Sequence, residues 1–193
     1  SKVPFNEEDD RLLGNTNKTR WCYSTSKAMV EHYIKANSIH KNLNFIIFRL
    51  FNVYGEGLEG RVVDAFIKRA LKNQTLNING NGRQRRCFLY IDDCVDAFYK
   101  IISNKKIKNE TFNIGSHQEY TMNELAKKII SLTNSNSKIK KNSSQLSKLG
   151  GYEDIERRVP DIKKIRKMTS WKINTSLNDG LKKMIKYQKN TNL

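Results

Sequence analysis

Apolar residues recur along this chain with two alternating periods. Between Tyr23 and His40, the residues Ala28, Met29, Tyr33, Ile34 and Ala36 fall at helical spacing, which predicts a helix ending near Asn42. NFIIFRL (44–50) is a short apolar run rich in β-branched and aromatic side chains, the pattern of a buried strand. FNVYGEGLEG then reads as a glycine-punctuated loop. In 61–73 the positions Val62, Val63, Phe66, Ile67, Ala70 and Leu71 predict an amphipathic helix. TLNING (75–80) and RCFLYI (86–91) read as strands on either side of a GNG turn, and 92–104 as a helix with Asp92 or Asp93 as its N-cap. TFNIGS (111–116) is a strand and turn, and Thr121 and Glu124 form a capping box before LAKKIISLT. Pro160 is expected to open a short helix, and a last helix to run from Leu177 to Tyr187. Residues 1–20 read as an extended surface segment, and 134–150, rich in Ser, Asn and Lys, as loosely held. Strands alternating with helices predict an α/β protein, and no internal repeat is visible.

Composition changes this picture only at its edges. The 193 residues are 37% apolar and 9% aromatic, enough for a folded core rather than a disordered chain. No run approaches the ~20 apolar residues that cross a bilayer, so no membrane partner is expected. The net charge of +17 invites a nucleic-acid reading. The lysines are spread over the whole chain, however, and pieces such as Lys138–Lys141 and Lys163–Lys167 read as solvated faces, which makes nucleic acid an unfavoured partner. Cys22, Cys87 and Cys94 show no CxxC pair and no metal-like spacing, which fits a reducing cytoplasm and no metal site. The sequence shows neither a signal peptide nor an initiating Met, and it contains no G-x-G-x-x-G run.

One stretch raises a chemical question. RWCYSTSK (20–27) stacks the Tyr23 phenol and the Lys27 ammonium one helical turn apart. Such a pair is either an ordinary surface contact or a phenol whose ionised form a nearby cation favours for chemistry. Asn52, just after a buried strand in a glycine-bounded loop, is either a ligand group or a turn residue satisfying its own backbone. Arg83, Arg85, Arg86, Arg157 and Arg158 are either surface charge or, in part, a phosphate site.

Five motifs in order bear on these alternatives. Tyr23-Ser-Thr-Ser-Lys27 resembles the YxxxK pair of the short-chain dehydrogenases/reductases. RLFNVYG (49–55) resembles the RxFNxYG loop of their extended branch, the NAD-dependent nucleotide-sugar epimerases, dehydratases and decarboxylases. GNGRQRRCFLYIDDCVDAF (80–98), FNIGS (112–116) and GYEDIERRVPDIKKIRKMTSWK (151–172) resemble three further segments of that branch. The resemblance spans about residues 1–187 and corresponds to the later half of such an enzyme. It implies the C-terminal part of a Rossmann-like doubly wound parallel sheet plus a small α/β substrate-binding domain. Residues 1–60 would close the NAD-binding domain, and 61–193 would be mainly substrate-binding, with 80–115 partly returning to the Rossmann sheet. The chain is accordingly expected to be a fragment whose glycine-rich loop and catalytic Ser/Thr precede Ser1.

What the resemblance implies for single residues is specific. Tyr23 would be the general acid and base, Lys27 would hold the ribose of NAD and favour the phenolate, and Phe51 would line the nicotinamide side or pack in the core. Asn52, Arg86 and Arg158 would bind the nucleotide-sugar, the arginines at its diphosphate, since a guanidinium fork suits phosphate oxygens. In the decarboxylases an arginine at the position resembling Arg158 also has a proton-donor role. Arg49 would be structural, and Arg83, Arg85 and Arg157 solvent-facing. Three departures stand out: Glu56 replaces the usual proline of the loop, Thr169-Ser170-Trp171 replaces LGW, and Cys87 replaces a common aspartate. The reading expects a homodimeric UDP-glucose 4-epimerase-like enzyme, with UDP-glucuronate decarboxylase or 4,6-dehydratase as the alternatives. A basic nucleic-acid-binding or non-catalytic interaction module is the alternative of another class.

Overall fold

The computed structural model describes residues 3–11, 13–142 and 155–191. In chain order the elements are α1 (Arg20–Lys41), β1 (Ile46–Leu50), β2 (Val53–Tyr54), α2 (Val62–Leu71), β3 (Leu76–Asn79), β4 (Arg85–Cys87), β5 (Leu89–Tyr90) and α3 (Ile91–Ile102). They continue as β6 (Glu110–Ile114), β7 (Glu119–Thr121), α4 (Met122–Thr133), β8 (Ile139–Asn142), β9 (Arg157–Arg158), α5 (Lys163–Thr169) and α6 (Leu177–Thr191).

Two apolar cores meet along a pair of very short strands. One core gathers Phe66, Ile67, Leu76, Leu125, Ile129 and Leu181 from α2, β3, α4 and α6. The other gathers Ile101, Phe112, Ile114, Ile165 and Trp171 beside β1, β6, α3 and α5. β2 and β5 pair in parallel, with Val53 opposite Leu89 and Tyr54 opposite Tyr90. Successive strand side chains point to opposite faces, so Tyr54 and Tyr90 enter the first core while Val53 and Leu89 enter the second. β1 pairs in parallel with β6, β3 in parallel with β8, and β4 lies between antiparallel β7 and parallel β9.

Four sequence expectations change in detail. The single strand over 86–91 is two, β4 and β5, because residues on either side of Phe88 pair in different sheets. Neither Asp92 nor Asp93 caps α3, whose N-cap is Tyr90. The Asp93 carboxylate instead accepts hydrogen bonds from the backbone of Asn174 and Thr175 at 3.0 Å, pinning the segment after Trp171. Pro160 does not open the next helix, which begins at Lys163; it forms an extended bridge with Phe5. Within 134–150, residues 139–142 form strand β8, while residues 143–150 lie outside the described residues, as do 151–154 of the closing motif.

The N-terminal segment, expected at the surface, is tied down at Phe5 and Glu7. Phe5 donates to the Val159 carbonyl at 2.9 Å and accepts from Asp161 at 2.7 Å. Glu7 is buried and accepts from the Asn113 backbone at 2.8 Å. α1 is the opposite case. Its Met29, Tyr33 and Ile39 are 69%, 70% and 81% exposed, and of the apolar residues that predicted the helix only Ala28 is buried.

Candidate active site

The six candidate residues fall into a pair and a cluster. The pair is on α1. One turn of helix brings the Lys27 nitrogen over the Tyr23 ring, 5.5 Å from its centroid. Both side chains are exposed, Tyr23 at 68%. The first turns of α1 are tightened by hydroxyls that bond back to the helix, Thr25 to the Trp21 carbonyl and Ser26 to the Tyr23 carbonyl. Strand β1 anchors the helix through Arg49, whose guanidinium donates to Glu31 at 2.7 and 3.0 Å and to the Glu7 carbonyl at 2.9 Å. Arg11 joins Glu31 as well. Burial pushes the Glu31 carboxyl up, but the two guanidiniums outweigh it and hold the group below its ordinary range. Arg49 therefore has the structural role expected of it.

The cluster is Phe51, Asn52, Arg86 and Arg158. Arg86 and Arg158 are register partners on adjacent parallel strands, β4 and β9. Register partners in such a pair share a face, so the two arginines leave the sheet on the same side, where the Arg86 guanidinium also donates back to the Arg85 carbonyl at 2.8 Å. Arg85 and Arg157 are likewise partners on the opposite face, where Arg157 donates to Glu119 at 2.5 and 2.8 Å. The alternation separates a paired, outward arginine from the two that share the other face.

Asn52 sits between β1 and β2 with φ of 44°, a left-handed conformation that asparagine tolerates better than most residues. Its side-chain amide donates to the Cys87 carbonyl at 2.9 Å, and its own carbonyl accepts from Leu89 at 3.2 Å. Asn52 is thus fixed beside the Arg86 strand. Phe51 is buried, and the Arg158 guanidinium lies 5.4 Å over its ring. This packing depends on Gly115, where a Cβ would come within 2.8 Å of both Phe51 and Pro160. The Cys87 thiol is buried and pushed up to about 11 by that burial, so it stays protonated and packs rather than reacts.

Two polar contacts near the site were not foreseen from the sequence. Glu56 accepts a 2.5 Å hydrogen bond from the Tyr90 phenol, closing the loop that carries the unusual Glu56 onto β5. Burial, and then that carboxylate, raise the Tyr90 phenol far above its ordinary value. Glu7 and Asn113 form a polar hub in which the Asn113 amide also donates to the Phe5 and Asp161 carbonyls at 3.0 and 3.3 Å. Nothing distinguishes Glu7 from its acidic neighbours in sequence; only the fold selects it. Among the described residues no group of three His, Cys, Asp or Glu side chains is placed to hold a metal. For a dinucleotide, the groups available here are the exposed Tyr23 hydroxyl and Lys27 ammonium and the Phe51 side.

A family model described as "NAD dependent epimerase/dehydratase family" matches residues 1–115. A UDP-N-acetyl-alpha-D-glucosaminuronate decarboxylase of Bacillus cytotoxicus is 37% identical over 188 residues, which are 95% of this chain and 58% of that protein. The solved UDP-glucuronic acid 4-epimerase of Bacillus cereus, in complex with UDP-glucuronic acid and NAD, is 26% identical with a TM-score of 0.79, covering 88% of this chain and 52% of that one. An epimerase of Methanothermobacter thermautotrophicus shares the fold at a TM-score of 0.87 and 23% identity, covering 99% of this chain and 55% of that one. The chain therefore spans little more than half the length of these relatives.

Proposed function

Because this chain belongs to the NAD-dependent epimerase/dehydratase family, we propose that it is the substrate-side part of an enzyme that oxidises and re-reduces a nucleotide-sugar with NAD. The observation that carries this reading is the register of Arg86 with Arg158, two arginine positions on one sheet face beside Asn52, an arrangement suited to a diphosphate. Residues 1–60 would then complete the dinucleotide domain and 61–193 would mainly hold the sugar, with β5, α3 and β6 returning to the larger sheet.

The substrate favoured is a UDP-hexuronic acid. The 37%-identical relative is named as a decarboxylase of one, and the solved 4-epimerase binds another. These similarities support a decarboxylase at least as well as the expected UDP-glucose 4-epimerase, and decarboxylation is the activity proposed. Both reactions open with the same step. When bound, NAD accepts the hydride from the sugar's C4 and later returns it. Tyr23 takes the proton of the C4 hydroxyl, and Lys27 binds and orients the ribose while its charge faces the phenol. Arg86, Arg158 and Asn52 hold the diphosphate so that C4 faces Tyr23. The 4-keto acid formed has its carboxylate β to a carbonyl. The bond from C5 to the carboxyl carbon breaks, carbon dioxide leaves, its electron pair goes to the enolate, and a proton returns to C5. Arg158 is the candidate donor of that proton, by the resemblance noted above.

The exposed Met29, Val30, Tyr33 and Ile39 of α1 support a homodimer formed along that helix, a further part of the proposal. The deciding experiment incubates the full-length protein with NAD and UDP-glucuronate or UDP-N-acetylglucosaminuronate and follows the sugar by NMR. Release of carbon dioxide with a pentose product is expected, and loss of that turnover in Tyr23→Phe. Inversion at C4 with the carboxylate retained selects the epimerase, and no conversion of either acid or of UDP-glucose overturns the proposal.

A further inference from the structure

A shallow basic depression lies on two helices that carry none of the six candidate residues. A cavity of about 310 Å³ opens between the end of α4 and the outer side of α6. Leu132 and Ile185 form its apolar floor, and Lys182, Lys186, Lys189 and Asn190 surround it. The three lysines follow one another at i, i+4 and i+7, so they form a single stripe roughly 10 Å long on α6. Lys128 stands one turn before Leu132 on the same side of α4. No Asp or Glu lines the cavity. Among the described residues none of the three α6 lysines has an ion pair, whereas their neighbour Lys183 is taken up by Asp92 at 3.0 Å. Like charges one helical turn apart repel, so this stripe works against its own helix until a counter-charge arrives.

The lining narrows the class of partner. It holds no arginine to grip a phosphate bidentately and no aromatic ring on which a base could stack, which disfavours nucleic acid. It is a shallow depression with only two apolar residues, too little apolar surface to embed in a bilayer, which disfavours a lipid surface. An ammonium is a compact point charge that suits a carboxylate, and the apolar floor accepts one aliphatic side chain. We propose that this groove docks an acidic protein segment, seating an aliphatic residue on Leu132 and Ile185 while flanking carboxylates meet Lys182, Lys186 and Lys189. The inference is independent of the catalytic reading.

The test uses the full-length protein and a short fluorescein-labelled peptide with glutamates one turn either side of a central leucine. Saturable binding is expected by fluorescence anisotropy, with Kd raised at least about tenfold by the triple change K182E/K186E/K189E and by replacing the peptide's glutamates with glutamine. The neutral triple variant K182Q/K186Q/K189Q, which cannot be misfolded by new ion pairs, gives a smaller loss in the same direction. Lys163→Glu, at a side chain 90% exposed elsewhere on the surface, leaves Kd unchanged. Equal binding by wild type and both triple variants overturns the proposal, as does absence of binding to wild type. Stronger competition by duplex DNA or by phosphatidylserine vesicles than by unlabelled peptide overturns it in favour of those partners.

Discussion

At the scale of single residues, charge placement distinguishes the arginines held by carboxylates from the two proposed to meet a diphosphate. Arg157 is held by Glu119, and Arg49 by Glu31 and the Glu7 carbonyl, while Arg86 and Arg158 share the sheet face beside Asn52, Arg86 bonded to the Arg85 carbonyl and Arg158 over the Phe51 ring. Changing Arg86 to Ala is expected to raise KM for the nucleotide-sugar about tenfold or more by removing a charge-assisted contact, Arg158→Ala to raise KM and also lower kcat because that residue is the candidate proton donor, and Tyr23→Phe to lower kcat by roughly 10²–10⁴ with KM little changed. Steady-state kinetics on the full-length protein separate the two effects. Glu7 gives a test by pH. Burial raises its pKa above the ordinary carboxylate value against the backbone hydrogen bond from Asn113. The folded state then binds that proton more tightly than the unfolded chain, so stability from this group is complete at low pH and is lost as pH rises through the folded value. Glu7→Gln keeps an acceptor for Asn113 without the charge. Its Tm is expected to exceed that of wild type near pH 7, with the gap closing below pH ~4 as Glu7 itself becomes protonated in both states. Glu31 acts in the opposite sense, its stabilisation fading as pH falls through its lowered value, so the comparison rests on the difference between the variant and wild type at each pH.

At the scale of elements, packing decides more than propensity. Gly180 shows this within α6, where a Cβ would overlap the Tyr54 hydroxyl and come within 2.9 Å of the Tyr90 ring. Those rings are buried at the seam between the two cores, and a helix that meets them backbone-first cannot retreat. Gly180→Ala, helpful in an open helix, should instead cost roughly 1–3 kcal/mol here, read as a Tm lower by several degrees. The same contrast explains what the sequence disclosed. α2 and α4 were legible because each has one apolar stripe and, for α4, the Thr121–Glu124 capping box, which is formed with bonds of 2.7 and 3.1 Å. β2, β7 and β9 were not, because two or three residues cannot display a period and their pairing comes from distant segments. The co-facial arginines were legible as motif positions, yet the register that joins β4 to β9 across about seventy positions was not. The Asp92 or Asp93 cap failed for a related reason: a good capping side chain was claimed by the backbone of Asn174 and Thr175 instead.

At the scale of the whole molecule, the two halves of the proposed chemistry are unequally represented. The cluster that would hold a diphosphate lies wholly within the described residues, whereas the 193 residues contain no glycine-rich loop for the pyrophosphate of a dinucleotide. Binding of the two ligands to this chain alone should therefore separate. UDP is expected to give a measurable heat by titration calorimetry and NAD none at the same concentration. A net charge of +17 attracts any anion, so UDP binding by itself proves little. The informative quantity is the difference between wild type and Arg86→Ala/Arg158→Ala at physiological salt, where charges farther than about 8 Å from the ligand are screened. General attraction would leave that difference near zero, since the double change removes two charges from a large excess. A built site would lose affinity by roughly 10–100-fold, because what disappears is a pair of oriented, charge-assisted hydrogen bonds. Equal affinity in the two proteins, or NAD bound as tightly as UDP, would show that the register of β4 and β9 does not make the phosphate site.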